Sequence, residues 1–246
     1  MKKQIPNLIT ALNLLCGCLA ILFVISGDLV ISSFLVISGM FFDFLDGLVA
    51  RLLHVESKLG IQLDSLADMV SFGVVPGMVM FQLLNKSVSP KELGTGFETN
   101  EILKSFEFGT SFLPIIGMVI ILASAYRLAK FNIDIRQSEN FIGLPTPANT
   151  LLIISLPLIF HYQYSPLIEH VIFNHWFLIT LTIVSSFLLN AEIKLFSLKF
   201  KTWDFNSNQV RYIFLVLSLL AIIVFKFIAI PLIIVLYILI SLLMKE

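Results

Sequence analysis

The run DFLDGLVARLLHVESKLGIQLDSLAD, residues 43–68, sets four aspartates and an arginine into sequence that otherwise reads as membrane-spanning helix. A carboxylate near the centre of a bilayer costs about 2.5–3.5 kcal/mol, so four left unpaired approach about 10 kcal/mol. A chain carries such groups only if something neutralises them, and divalent metal is the obvious agent. At about 100° per residue, Asp43, Asp46, Gly47 and Ala50 share one face of a helix, and Gly60, Asp64 and Asp68 share one face of the next. The spacing predicts two carboxylate pairs facing each other across a helical hairpin. Such a hard, all-oxygen cage suits magnesium, manganese or calcium.

Around that run the composition is that of a polytopic membrane protein. The 246 residues are 58% hydrophobic and 13% charged, with 23 phenylalanines. The expected fold class is therefore all-α, a helical bundle in the membrane with no soluble domain. Zero net charge gives no argument for a nucleic-acid partner. Cys16 and Cys18, two apart in the first apolar run, point to different faces of a helix and have nothing with which to complete a disulfide framework or zinc site. They read as small packing residues.

Apolar runs of about 17–25 residues predict eight spans, near 8–27, 29–53, 59–84, 111–131, 148–164, 175–191, 210–226 and 228–244. Lys226 and Pro231 mark a tight reversal between the last two. The first run lacks a small-residue cleavage site and reads as a retained helix. With the N-terminus in the cytoplasm, twelve basic residues, among them Arg51, Lys58, Arg127, Lys130 and Arg136, fall inside, against four outside (Lys86, Lys91, Lys104 and Lys226). That positive-inside bias predicts both termini, and the aspartate hairpin, on the cytoplasmic face. The chain is expected to be one transmembrane domain over 1–246, with a catalytic core over about 1–150 and further C-terminal helices over about 175–244. Two connections have length: a polar outer one over 85–110, and a basic inner one over 192–209 carrying Trp203.

Small residues flank the carboxylates. Gly47 and Ala50 follow Asp46 on its stripe, and Gly60 precedes Asp64 by one turn. Alone they would read as helix-packing residues; alternating with metal-type carboxylates they leave room for a ligand to approach the backbone. Arg51, at the helix end, either snorkels to the interface or clamps a phosphate beside the metal. Thr10, Asn13 and Gly17 share a face of the first helix; Thr10 and Asn13 either line a nucleotide pocket or pack between helices.

The eight positions Asp43, Asp46, Gly47, Ala50, Arg51, Gly60, Asp64 and Asp68 resemble, in type and spacing, the signature of the CDP-alcohol phosphotransferases. PNLITALNLLCGCLA at 6–20, LDSLADMVSFGVVPG at 63–77 and GLPTPAN at 143–149 look like the integral-membrane phosphatidylserine synthases of bacteria and archaea within that family. The resemblance spans most of the first 150 residues and is silent beyond 160. It implies transfer of a phosphatidyl group from CDP-diacylglycerol to L-serine with release of CMP, in phospholipid biosynthesis at a prokaryotic cytoplasmic membrane, by a homodimer. It further implies that Asp43, Asp46, Asp64 and Asp68 hold two divalent ions (Mg2+ or Mn2+, with Ca2+ a possible occupant), and that Asp68 is also the general base. Thr10, Asn13, Gly47, Ala50, Arg51 and Gly60 would bind the CDP-lipid.

An acceptor that is a zwitterion needs a cation for its carboxylate. Arg127, Lys130 and Arg136 lie on the predicted cytoplasmic side, and the guanidinium fork favours Arg127. Positive-inside topology alone would also account for any of the three. His161, His170 and His175 fall on the opposite side, and His54 reads as interfacial. Within the family, glycerol 3-phosphate or inositol phosphate acceptors remain open; each carries a phosphate dianion and would want more basic residues near the site. An intramembrane prenyltransferase would show a second aspartate cluster after Asp68, and there is none. A cation transporter would spread its acidic residues over several helices or show inverted repeats, and this chain does neither.

Overall fold

The computed structural model describes residues 4–88, 112–134, 141–196 and 204–243. Helix α1 (Ile5–Ile25) starts on Pro6, whose fixed φ and missing N–H suit a first turn. Its buried face is Pro6, Thr10, Asn13, Gly17, Ala20 and Val24, a single stripe at helical spacing. Asp28 caps α2 (Leu29–Leu52), its carboxylate accepting from the Ile31 amide at 2.9 Å. The chain leaves α2 through His54 at φ +52, and Ser57 caps α3 (Lys58–Asp68) by accepting from the Gly60 amide at 3.0 Å.

Helix α3 does not end at Asp68. It widens into a π-helical turn, Met69–Val74, and continues as α4 (Val75–Val88). A 3-10 turn, Leu113–Met118, leads into α5 (Val119–Ile133). Next come a two-residue strand, β1 (Phe141–Ile142), then α6 (Thr146–Tyr162), α7 (Pro166–Ile172) and α8 (His175–Asn190). Strand β2 (Lys194–Leu195) pairs antiparallel with β1, Phe141 opposite Leu195. Helices α9 (Phe205–Phe225) and α10 (Ala229–Leu243) follow.

The architecture is all-α, as composition predicts, with one short strand pair as a clasp. Among the described residues five helices are long and apolar enough to cross a membrane, or six if the bent pair α7 and α8 is one span. The count of eight rests on hydropathy. It parts from this figure at α6, whose 17 residues reach about 26 Å at 1.5 Å each, and at residues 208–243, counted as one run. That run folds back on itself. Lys226 sits at φ +50, and the rings of Phe214 and Tyr237 lie 5.7 Å apart, which one straight helix could not allow.

The core lies on α3–α4 and its neighbours. Phe72, Val75, Val79, Met80 and Leu84 pack with Val36 of α2 and Ile153 and Ile154 of α6. Polar ties between helices fix the register: Gln82 Nε2 donates to the Val24 carbonyl at 3.0 Å, Ser33 Oγ to that of Ile154 at 3.2 Å, and Asn190 Nδ2 to that of Ala123 at 3.0 Å. Gly17 is required by close approach. A β-carbon there would meet the Ser71 backbone, its Cα at 3.1 Å, where Ser71 Oγ donates to the Asn13 carbonyl.

Candidate active site

Asp43 on α2 and Asp64 and Asp68 on α3 converge because α1 packs against both helices, after Ser57 caps the start of α3. One carboxylate oxygen from each of the three lies within 4.8 Å of the others. Among the described residues, Asp64 Oδ1 is buried with no hydrogen-bond partner. Three hard oxygen donors, one of them orphaned, fit a divalent cation.

The fourth aspartate takes a different place. Asp46 is 6% exposed and accepts a hydrogen bond from Thr10 Oγ1 at 2.5 Å. The arrangement is thus three carboxylates together and one beside them, where the sequence predicts two facing pairs. Asp46 still borders the same cleft as Asp64. That cleft, about 190 Å3 in volume, is lined by Thr10, Asp46, Gly47, Ala50, Arg51, Gly60 and Asp64. Every one of these was singled out from sequence. The sequence reading missed Pro6, Asn7, Val55, Glu56, Ser57 and Ile61 on its walls; of these, the helix-capping role of Ser57 was the one available signal.

The small residues have definite neighbours. A β-carbon on Gly47 would sit 3.6 Å from Arg51 Nη1, so the guanidinium folds back over Gly47. A β-carbon on Gly60 would meet Ser57 Oγ at 3.2 Å and Asn7 Oδ1 at 3.3 Å, so Gly60 lets α3 close on the start of α1. Asn13 lies outside the cleft wall, and its Nδ2 donates to Asp68 Oδ1 at 3.3 Å. It holds the carboxylate rather than lining the cleft. The π-helical turn that follows Asp68 is pinned from the far side, where Thr150 Oγ1 donates to the Phe72 carbonyl at 3.0 Å.

The three basic candidates separate. Arg127 is 7% exposed and lies within Coulombic reach of Asp68. Its Nη2 donates to the Gly143 carbonyl at a long 3.5 Å, and its Nε has no partner among the described residues. Lys130 is turned to the surface and pairs with Glu192 at 3.5 Å. Arg136 lies outside the described residues, as do most of the outer connection over 85–110 and Trp203 of the inner one.

The family profile described as CDP-alcohol phosphatidyltransferase matches residues 3–188. The chain is similar to the CDP-diacylglycerol–serine O-phosphatidyltransferase of Helicobacter pylori J99, at 34% identity over 151 residues, 61% of this chain and 55% of that protein. It is similar to the protein of that name in Bacillus subtilis, at 31% over 170 residues, 68% of this chain and 80% of the other. It also resembles the archaetidylserine synthase of Methanothermobacter thermautotrophicus, at 31% over 164 residues, 65% of this chain and 60% of the other. The chain thus spans little more than half the length of the Helicobacter relative.

Proposed function

The chain belongs to the CDP-alcohol phosphatidyltransferase family, and from that premise we propose that it transfers a phosphatidyl group from CDP-diacylglycerol to L-serine, yielding phosphatidylserine and CMP. The observation that carries the proposal is the meeting of Asp43, Asp64 and Asp68 within 4.8 Å, beside a cleft bordered by Arg51.

Asp43, Asp46, Asp64 and Asp68 would hold two divalent ions, Mg2+ or Mn2+. Such ions supply charge neutralisation at the transferred phosphoryl group and the leaving phosphate. The protein's own groups do the rest. Arg51, folded over Gly47 at the cleft wall, clamps a phosphate of the nucleotide, and Gly47, Ala50 and Gly60 leave space for it. The serine hydroxyl oxygen attacks the phosphorus that bears the diacylglycerol. A new P–O bond forms to serine, the P–O bond to CMP breaks with its electron pair on CMP, and the hydroxyl proton passes to Asp68. Asn13, donating to Asp68, orients that base. Arg127 faces the serine carboxylate; a buried guanidinium near Asp68 with an unused Nε–H supports this assignment over Lys130, which is engaged by Glu192.

The names of the relatives favour serine as acceptor, since the Helicobacter, Bacillus and archaeal proteins are all named for serine transfer. Orientation follows from charge. Arg51 and Lys58 flank the aspartate hairpin, while Lys86 lies near Asp28 at the opposite end of the bundle. The positive-inside rule then turns the hairpin to the cytoplasm, where soluble serine is available. Both termini would share that side in an eight-span bundle, and the family resemblance adds a homodimer.

The deciding experiment incubates purified protein and a divalent metal with CDP-diacylglycerol and, separately, L-serine, glycerol 3-phosphate and inositol phosphate. CMP release with serine is expected. Release with a phosphorylated alcohol and none with serine would overturn the acceptor.

A further inference from the structure

Three buried side chains on α5 and α6 carry polar atoms without partners. Ser124 and Arg127 are one turn apart on α5, and Asn149 is in the first turn of α6. Among the described residues, Ser124 Oγ, Arg127 Nε and both amide atoms of Asn149 make no hydrogen bond, and Ser124 and Asn149 are fully buried. An unpaired buried amide costs about 1–3 kcal/mol per group, and a sequence this apolar could have placed leucine there at no such cost.

The three belong to one junction. The long bond from Arg127 Nη2 to the Gly143 carbonyl joins α5 to the segment leading into α6. The Thr150 bond to the Phe72 carbonyl joins the residue after Asn149 to the π-helical turn. A β-carbon on Gly73 of that turn would meet Ser124 Cβ at 3.2 Å, so α5 closes the third side. Here a fixed cation, a neutral donor–acceptor amide and a hydroxyl stand on the two helices that meet the π-helical turn following the proposed base.

We infer that Asn149, with Ser124, forms the polar end of the acceptor pocket and selects a small zwitterionic amino alcohol over a phosphorylated one. This rests on the serine reading of the site. The chemistry separates the classes. A carboxylate takes the Arg127 Nε–H and the Asn149 amide N–H2, and an ammonium takes the Asn149 carbonyl and the Ser124 hydroxyl. A phosphate dianion would leave the Asn149 carbonyl facing negative charge, and one guanidinium would not balance it.

The test uses the full-length protein in detergent. Wild type is first assayed for CMP release with L-serine and with glycerol 3-phosphate, so that a wrong acceptor is recognised as a failure of the broader proposal. With serine established, Asn149→Leu keeps the branched outline and removes both polar atoms. The expected result is a ten- to hundredfold rise in serine KM, with the KM for CDP-diacylglycerol and the melting temperature unmoved. Ethanolamine, which lacks the carboxylate, and 3-hydroxypropionate, which lacks the ammonium, are run against both proteins. Wild type should prefer serine to each, and the variant should lose most of that preference. If Asn149→Leu does not fold, Asn149→Ala is read in the same way. A serine KM within twofold of wild type in a folded variant, or equal rises in both substrates' KM, would overturn the inference.

Discussion

The first six helices and the last two differ in what holds them. Over residues 58–88, 61% of the hydropathic window is buried inside the bundle; over 208–243 the share is 11%. The first region is stitched through its interior by polar side chains: Gln82, Ser33, Thr150, Thr10 and Asn13 all bond to another helix. The α9–α10 hairpin shows aliphatic side chains to its surroundings, Val216, Leu219, Ile223 and Leu243 among them. It packs on the bundle through Ile234, against Leu144 and Leu152, and its polar ties lie at mid-α10 and at the reversal. Tyr237 Oη donates to the Phe196 carbonyl at 2.9 Å, and Gln163 holds the reversal by donating to the Phe225 carbonyl and accepting from the Ile228 amide. The family match stops at residue 188, before this hairpin begins. In a bilayer, apolar surface gains nothing by choosing protein over lipid, so close backbone contact and polar bonds decide which helices form a specific bundle. Chemistry sits where those bonds are.

The contrast breaks first at the carboxylates. Asp68→Asn should lower turnover by at least about a hundredfold while CDP-lipid binding survives, because the base acts chiefly in the transition state; steady-state CMP release and a lipid-binding assay check both halves. Packing gives the next largest effect. Gly17→Val forces a side chain into the Ser71 backbone and should cost about 1–3 kcal/mol, read as a lower melting temperature in detergent. Exchanging one exposed aliphatic residue for another on α9, as in Leu219→Ile, should leave that temperature unchanged within error. A smaller effect sharpens the site itself. Arg127→Lys keeps the charge and loses the fork, so serine KM should rise well beyond the KM for the lipid, whereas Lys130→Ala should move neither. The smallest effect belongs to the hairpin. Tyr237→Phe removes one hydrogen bond and should cost about 0.5–1.5 kcal/mol in thermal stability with activity intact; a loss of CMP release there would make the hairpin part of the machinery.

Much of this was legible in sequence because carboxylates are so costly in apolar helix that their spacing carries information. Asp43, Asp64 and Asp68 met as their faces predict, and the small residues beside them line the cleft. Asp46 stands apart from the trio because Thr10, on a helix thirty-six residues away, takes its carboxylate, and helical periodicity within one hairpin carries nothing about a third helix. The π-helical turn at 69–74 left no mark either: residues 69–84 are apolar on nearly every face, so the rotation it causes has no stripe to displace. Asn149 was visible only as one letter of a quoted segment, since a lone polar residue in an apolar run can be satisfied, hydrated or waiting for a ligand. The spans were the least legible. Apolar runs mark length and composition, while the break between α7 and α8, bent by 57°, depends on Asn174 capping α8 by accepting from the amides of Trp176 and Phe177.

If Asp43, Asp64 and Asp68 hold a divalent ion, the purified protein binds Mn2+ without any substrate present. Titration followed by electron paramagnetic resonance should show bound Mn2+ in wild type. Asp64→Asn should remove at least one bound ion while the melting temperature stays near that of wild type. Undiminished Mn2+ binding in a folded Asp64→Asn protein, or none in wild type, would mean that the three carboxylates hold no ion.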